Sequence, residues 1–388
     1  MEKKNFASGA GAGQELATRL VQSGVRFDQA TGAVSVPIYQ SATYRHPTLG
    51  ETTGFDYTRI SNPTRQALEE SFAALEGAKS AFSFASGMAA ITAVMLLFEA
   101  GDHVILGEEI YGGTYKLMDW ILSKFNLTVS YVDTTDLVAL EAAILPETRA
   151  VLLESPSNPL MKITDIAAVA KLCKKHRVLT VVDNTLMTPY LQRPLELGAD
   201  LVVYSATKYL GGHNDLLAGL VATGSARLAA DLALIQQGAG FVLAPQESWL
   251  LLRGMKTLGV RMDRQQDNAR QLAAWLKNHP EVETVYFPPD NGADVSAQAA
   301  GPGAMISFSV KDAALAKDVV NRLQVITFAE SLGGVESLIT YPYLQTHADM
   351  PEDTRKRLGI HQRLLRLSVG IEHINDLQAD LEQALSRK

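Results

Sequence analysis

Much of what this sequence excludes follows from what it has little of. There is one cysteine in 388 residues, Cys173. That rules out an intrachain disulfide and any Cys-rich metal site, and it fits a reducing, cytoplasmic setting. Basic charge is not in excess. Lys and Arg number 35 against 42 Asp and Glu, a net charge of −7 with both signs dispersed. Nucleic acid or an anionic membrane would call for the opposite balance, so neither is expected as a partner. No apolar run reaches membrane-spanning length. Met1 to Gln14 carries charges, glycines and alanines but no apolar core of signal-peptide length. Neither the glycine fingerprint of a dinucleotide site nor a Walker loop occurs. The eight histidines are scattered, and His361 and His373 lie too far apart for a helical metal pair, so no metal is expected. Internal repeats and low-complexity tracts are absent.

What is present is an alternation. Residues 1–55 have weak periodicity and read as an extended arm that lies across a neighbouring subunit. From Thr64, "TRQALEESFAALEG" spaces Leu68, Phe72 and Leu75 as a helix face, with Gly77 as its stop. Short apolar strands follow at Ser80–Ala85, His103–Leu106, Ala150–Leu153, Val178–Val182 and Leu201–Tyr204, separated by helical stretches. The clearest helix is "ITDIAAVAKLCKKH", with Thr164 as its expected N-cap and Ile166, Val169 and Cys173 on a core stripe. This predicts an α/β fold with a mostly parallel sheet over residues 56–244. After residue 245 a long helical region, a few strands and a closing helix from Ile374 to Lys388 read as a smaller α+β domain, 245–388.

In open parallel sheets, ligands bind at the carboxyl ends of the strands. Three features gather there. Ser86, Gly87 and Met88 sit where a strand runs into a helix, a place that suits a phosphate but is also served by plain capping. Asp183 ends the apolar strand "TVVD", where an unpaired carboxylate is costly to bury; a salt bridge or a helix cap would also explain it. Lys208 follows Ser205 and Thr207 at the end of "LVVYS", and taken alone it reads equally as a solvated loop lysine. One ligand needs all three. In pyridoxal 5′-phosphate (PLP) the phosphate takes the helix end and the hydroxyls of Ser205 and Thr207. The ring nitrogen pairs with Asp183, and the aldehyde condenses with Lys208. His213 in "GGHND" reads as a loop-structuring residue.

The stretch "SATKYLGGHNDLLAGLV" resembles the cofactor-lysine segment of the Cys/Met-metabolism, or transsulfuration, family of PLP enzymes. "YTRISNPTR", "SGMAA", "YGGTY", "ESPSNPL", "VVDNT", "ESLGGVESLITYP" and "LLRLSVGIEH" look like further blocks of that family, in its order. The resemblance implies the aminotransferase-like fold (fold type I) and a homotetramer of two tight dimers acting on small amino acids. It implies that Lys208 is the Schiff-base lysine and later the proton shuttle, and that Asp183 is the ring-nitrogen partner. Ser86, Gly87, Met88, Ser205 and Thr207 match the phosphate cup, and Tyr111 matches the aromatic stacked on the ring. Tyr57 and Arg59 match a pair that reaches the cofactor phosphate of the neighbouring subunit. Asn158 and Arg366 match groups near the substrate carboxylate. Arg366 also fits on physical grounds, as a carboxylate clamp within "LLRLSVG". Ser331 and Glu336 lie in the block that borders the substrate.

The family divides between γ-replacement, which joins an O-acylhomoserine to a thiol, and β- or γ-elimination, which splits cystathionine or methionine. Val335 before Glu336 resembles the synthases, where one branch of β-lyases carries an aromatic residue. Gly113 stands where methionine γ-lyases usually carry cysteine. The short stretch between Tyr286 and Met305 resembles a cystathionine γ-synthase subgroup that also accepts O-acetylhomoserine with sulfide. These features favour γ-replacement by cysteine or sulfide, with cystathionine β- or γ-lyase as the alternative. A nicotinamide dehydrogenase shares the α/β texture but lacks its fingerprint here. A non-catalytic regulator would add a basic DNA-binding segment, and an inactive scaffold would have lost Lys208 or Asp183.

Overall fold

The computed structural model describes residues 13–289, 298–348 and 350–386. Its strands are β1 (Ser80–Phe84), β2 (His103–Gly107), β3 (Thr128–Val132), β4 (Thr148–Glu154), β5 (Leu179–Asp183), β6 (Leu201–Ser205) and β7 (Gly219–Thr223). After these come β8 (Val282–Tyr286), β9 (Met305–Val310), β10 (Thr327–Phe328), β11 (Leu338–Thr340) and β12 (Leu364–Ser368). The chain forms two units, each discontinuous in sequence. One holds the residues up to Leu97 with Asp200–Gly259, the other Phe98–Ala199 with the residues from Val260 onward.

In the first unit, β7 pairs antiparallel with β1 on one side and β6 on the other. The helix Pro63–Glu76 packs on β1. Its ends are written in the sequence. Asn62 accepts from the N–H groups of Thr64 and Arg65, Pro63 supplies the first helical position, and Gly77 closes it at φ 65°. The helix Gly87–Met95 covers β6 and β7.

The second unit holds four parallel strands in the order β5-β4-β2-β3. Every residue of β2 is buried, as strands covered on both faces require. The helix Ile166–His176 lays Ile166, Val169 and Cys173 into a core with Ile105, Val151, Leu153 and Val182. Burying one such aliphatic side chain contributes about 1.5–3 kcal/mol. A charge at Val169 would cancel several of these. A five-stranded sheet, β10-β11-β12-β9-β8, antiparallel except for β10 with β11, completes the unit. The helices Ala313–Arg322 and Ile374–Leu385 pack together beside it.

Two expectations need correction. The N-cap of the helix Ile166–His176 is Asp165, which accepts from Ala168 N at 2.9 Å. Thr164 is committed elsewhere, its hydroxyl 2.7 Å from that of Thr134. The arm is not wholly extended, since Leu16–Val21 is a short helix that buries Leu20. Its single buried residue gave too little periodicity to read. The helical region expected after 245 is present, as two helices, Pro245–Met255 and Leu258–Lys277. Residues 1–12 of the expected arm and the last two of the expected closing helix lie outside the described residues.

Candidate active site

The site residues of the first unit are held by backbone close approach. Ser86 caps the helix Gly87–Met95, its Oγ accepting from Ala89 N at 3.1 Å. The capping reading of Ser86 is therefore correct as far as its side chain goes. The helix still presents the N–H groups of Gly87 and Met88, which have no acceptor inside a helix. A Cβ on Gly87 would lie 2.8 Å from Ser205 Cβ and 2.9 Å from Ser205 Oγ, and one on Gly219 would lie 2.2 Å from the Ser86 carbonyl. Two glycines thus let the ends of β6 and β7 close onto the helix start and bring Ser205 beside Gly87. Thr207 Oγ1 accepts from Ala218 N at 3.0 Å, which fixes the hydroxyl one turn past β6. Lys208 N donates to the Ser205 carbonyl at 3.1 Å. The loop that follows is backed by the helix Pro245–Met255, where a Cβ on Gly254 would stand 2.3 Å from the Gly211 carbonyl. His213 Nδ1 lies 2.9 Å from that same carbonyl, a loop-structuring contact.

"YTRISNPTR" folds as one device. The buried Arg65 donates to the carbonyls of Thr58 (2.8 Å) and Ile60 (3.1 Å), and Asn62 Nδ2 donates to the Tyr39 carbonyl (2.9 Å). Tyr57 and Arg59 remain exposed, the guanidinium carbon 5.6 Å from the centre of the tyrosine ring. Arg59 Nη1 also donates to the Gln237 carbonyl at 2.8 Å.

In the second unit, Arg366 lies mid-strand in β12 with 2% of its surface exposed. It donates to Asn158 Oδ1 (2.9 Å), the Ser331 carbonyl (3.1 Å) and Thr340 Oγ1 (3.1 Å). Arg366, Asn158 and Ser331 are thus brought together, with Ser331 in a left-handed conformation, φ 95°. Glu336 is exposed, two residues before β11. Tyr111 is half-exposed and heads the short helix Gly112–Lys116.

Asp183 ends β5, and its carboxylate accepts from Thr185 N at 3.0 Å. Burial pushes it above the usual carboxylate range, against the hydrogen bonds from Thr185. Beside it, in parallel register, Glu154 ends β4. Burial raises Glu154 well above the usual range and the charge of Asp183 adds to this, while the N–H of Tyr111, 3.2 Å from Oε1, pulls the other way. Adjacent strands lie about 4.8 Å apart. Two full charges at about 5 Å repel by about 3 kcal/mol at an effective dielectric of about 20. Such a pair fits a cationic ligand group.

Two residues escaped the reading of the sequence. Glu154 carried the same signal as Asp183, a carboxylate closing an apolar strand ("AVLLE"). His347 is fully buried, 2.8 Å from Thr346 Oγ1 through Nδ1, and burial together with Arg366 lowers it to about 4. No local pattern marks it.

The family described as "Cys/Met metabolism PLP-dependent enzyme" matches residues 17–386. The cystathionine gamma-synthase/O-acetylhomoserine (thiol)-lyase of Bacillus subtilis (strain 168) is 50% identical over 372 residues, 96% of this chain and 96% of that protein. A cystathionine beta-lyase of Lactococcus lactis subsp. cremoris (strain MG1363) is 48% identical over 375 residues, 96% of this chain and 99% of its own length. The crystal structure of cystathionine gamma-lyase from Lactobacillus plantarum, complexed with L-serine, has a TM-score of 0.93 at 48% identity, over 96% of this chain and 98% of that one. Synthase, β-lyase and γ-lyase stand at almost equal distance, so likeness fixes the fold and the cofactor and leaves the reaction open. By match along almost its whole length, the chain belongs to the Cys/Met metabolism family of PLP-dependent enzymes.

Proposed function

We propose that the enzyme carries out γ-replacement on an O-acylhomoserine, with cysteine giving cystathionine or sulfide giving homocysteine. The observation that carries this reading is the valine at position 335. Its carbonyl accepts from Ile371 N at 2.9 Å and stands 2.4 Å from where a Cβ on Gly370 would be. The backbone there is pinned, so the size of side chain 335 is set by sequence alone, and it is small and aliphatic as in the synthases. The 50% identity to a synthase/thiol-lyase agrees. The lyase identities favour the second reading, elimination from cystathionine.

The roles assigned are these. Gly87 and Met88 donate their N–H groups to the cofactor phosphate, joined by the hydroxyls of Ser86, Ser205 and Thr207. Lys208 would hold the cofactor aldehyde through its amine and, as a free amine with substrate bound, would carry protons at Cα, Cβ and C4′. Asp183 would supply the charge that pairs the ring nitrogen, and Tyr111 would supply an aromatic face to the ring. Bound PLP supplies an electron sink that makes the substrate Cα proton acidic. Arg366, oriented by Asn158 and by the Ser331 carbonyl, clamps the substrate carboxylate with a two-pronged hydrogen bond. Ser331 and Glu336 border the substrate side chain. Tyr57 and Arg59, exposed and stacked, reach the cofactor phosphate of a second copy of the chain in a homotetramer. With its one cysteine buried, the enzyme is assigned to the reducing cytoplasm.

The test is a mass-resolved product assay on the purified yellow protein. O-acetylhomoserine with cysteine should yield cystathionine, and cystathionine alone should break down slowly. Rapid release of homocysteine or cysteine with pyruvate or 2-oxobutyrate from cystathionine would replace this reading with the lyase.

A further inference from the structure

The mechanism above uses Asp183 and leaves its half-buried neighbour Glu154 without a task. Glu154 and Asp183 close adjacent parallel strands in register. Around Glu154 stand Asp183, Glu109 and Arg366 as charged groups, and the N–H of Tyr111 as a donor at 3.2 Å. Glu109 is ion-paired with Lys162 at 2.7 Å and accepts the Ser157 hydroxyl at 2.5 Å. Lys162 is committed to Glu109, and Arg366, the cation that acts on Glu154, is already shared among Asn158, Ser331 and Thr340. Asp183 receives both a backbone and a side-chain hydrogen bond from Thr185, and Glu154 receives one N–H. Hydrogen bonds to a charged form favour it. The negative charge therefore belongs on Asp183 and the proton on Glu154.

We propose that Glu154 is a positioning residue that works as a neutral carboxylic acid, keeping the proton of the Glu154–Asp183 pair while its carbonyl oxygen anchors the backbone of Tyr111. The inference rests on Asp183 being the ring-nitrogen partner. A neutral Glu154 gives the ring nitrogen a single carboxylate to face. It also ties the backbone of Tyr111 to β4, the strand beside the one that carries the charge.

The apoprotein, with glutamate labelled with carbon-13 at the carboxyl carbon, tests this by infrared spectroscopy. A carboxylic-acid carbonyl band should be present at neutral pH, should shift on labelling, and should be missing from E154Q. Absence of the band, or a band that the glutamate label leaves in place, would put the proton elsewhere and overturn the proposal. In the loaded enzyme, E154A should lose roughly three- to tenfold in kcat/KM with its acceptor for Tyr111 N–H gone. E154Q, neutral and of the same shape, should recover most of that loss. Equal impairment of the two variants would show that the ionised form matters and would also overturn the proposal. D183N separates the underlying reading. If D183N binds PLP and turns over like wild type while the labelled band stays on Glu154, the ring-nitrogen assignment fails and the proton placement holds.

Discussion

Replacing Gly87 by alanine adds one methyl group where no room exists. The new carbon would stand 2.8 Å from Ser205 Cβ, 2.9 Å from Oγ and 3.0 Å from Cα. Carbon atoms in ordinary contact lie about 3.5–4.0 Å apart, so the gap is short by about 1 Å. One of the opposing atoms is backbone, and a rotamer change at Ser205 cannot clear it. Overpacking of this kind costs about 1–3 kcal/mol. The gain from alanine over glycine in a helix is at most about 1 kcal/mol. A gap short by about 1 Å puts the cost in the upper part of that range, about 2–3 kcal/mol, so the net penalty is about 1–2 kcal/mol, relieved by moving Ser205 off the helix end. G87A apoprotein should unfold at lower urea concentration and, titrated with PLP by absorbance, bind about five- to thirtyfold more weakly. Gly224 provides the control. A Cβ there meets nothing within 4 Å, and G224A should be neutral or stabilised by about 0.4–1 kcal/mol. Wild-type PLP affinity in G87A, or an equal loss in G224A, would refute the argument.

Three other outcomes are expected. K208A should lose the yellow absorbance of bound cofactor and all turnover, and retained turnover would remove Lys208 from the chemistry. R59A should weaken PLP retention about tenfold or more, the effect of losing one hydrogen bond to a charged group; unchanged affinity would argue against a cofactor shared between copies. Burial raises Glu154 above the ordinary 4.5, so the folded apoprotein binds its proton more tightly than the unfolded chain does. Stability then falls as pH rises from 4.5 through the raised value. E154Q apoprotein should melt above wild type at neutral pH, with the gap closing towards pH 4.5, and a wild type that melts higher at neutral pH would contradict this.

The parallel strands were legible because burial on both faces leaves unbroken Val, Leu and Ile runs, and because ligand residues collect at their carboxyl ends. That single rule singled out Lys208, Asp183, Ser205 and the helix start at Gly87 as candidates, although β1, which leads into Gly87, pairs antiparallel with β7. Applied evenly it would also have found Glu154, which ends its strand as Asp183 does. His347 was out of reach, because nothing local says that a histidine in "LQTHADM" is carried against Arg366 on β12. The Thr164 cap failed for a related reason. Two residues fit that cap by type, and a partner 30 positions away, Thr134, decides between them.

The glycines at 87, 219 and 254 take no part in chemistry, yet each faces an atom under 3 Å from where its side chain would begin. In a library covering every substitution, these three positions should be depleted increasingly as the side chain grows, alanine least, although none of the three supplies a reacting group. Intolerance at such sites reports a distance and carries no information about reactivity. A search for catalytic residues by mutational sensitivity alone would return the mould together with the groups it shapes.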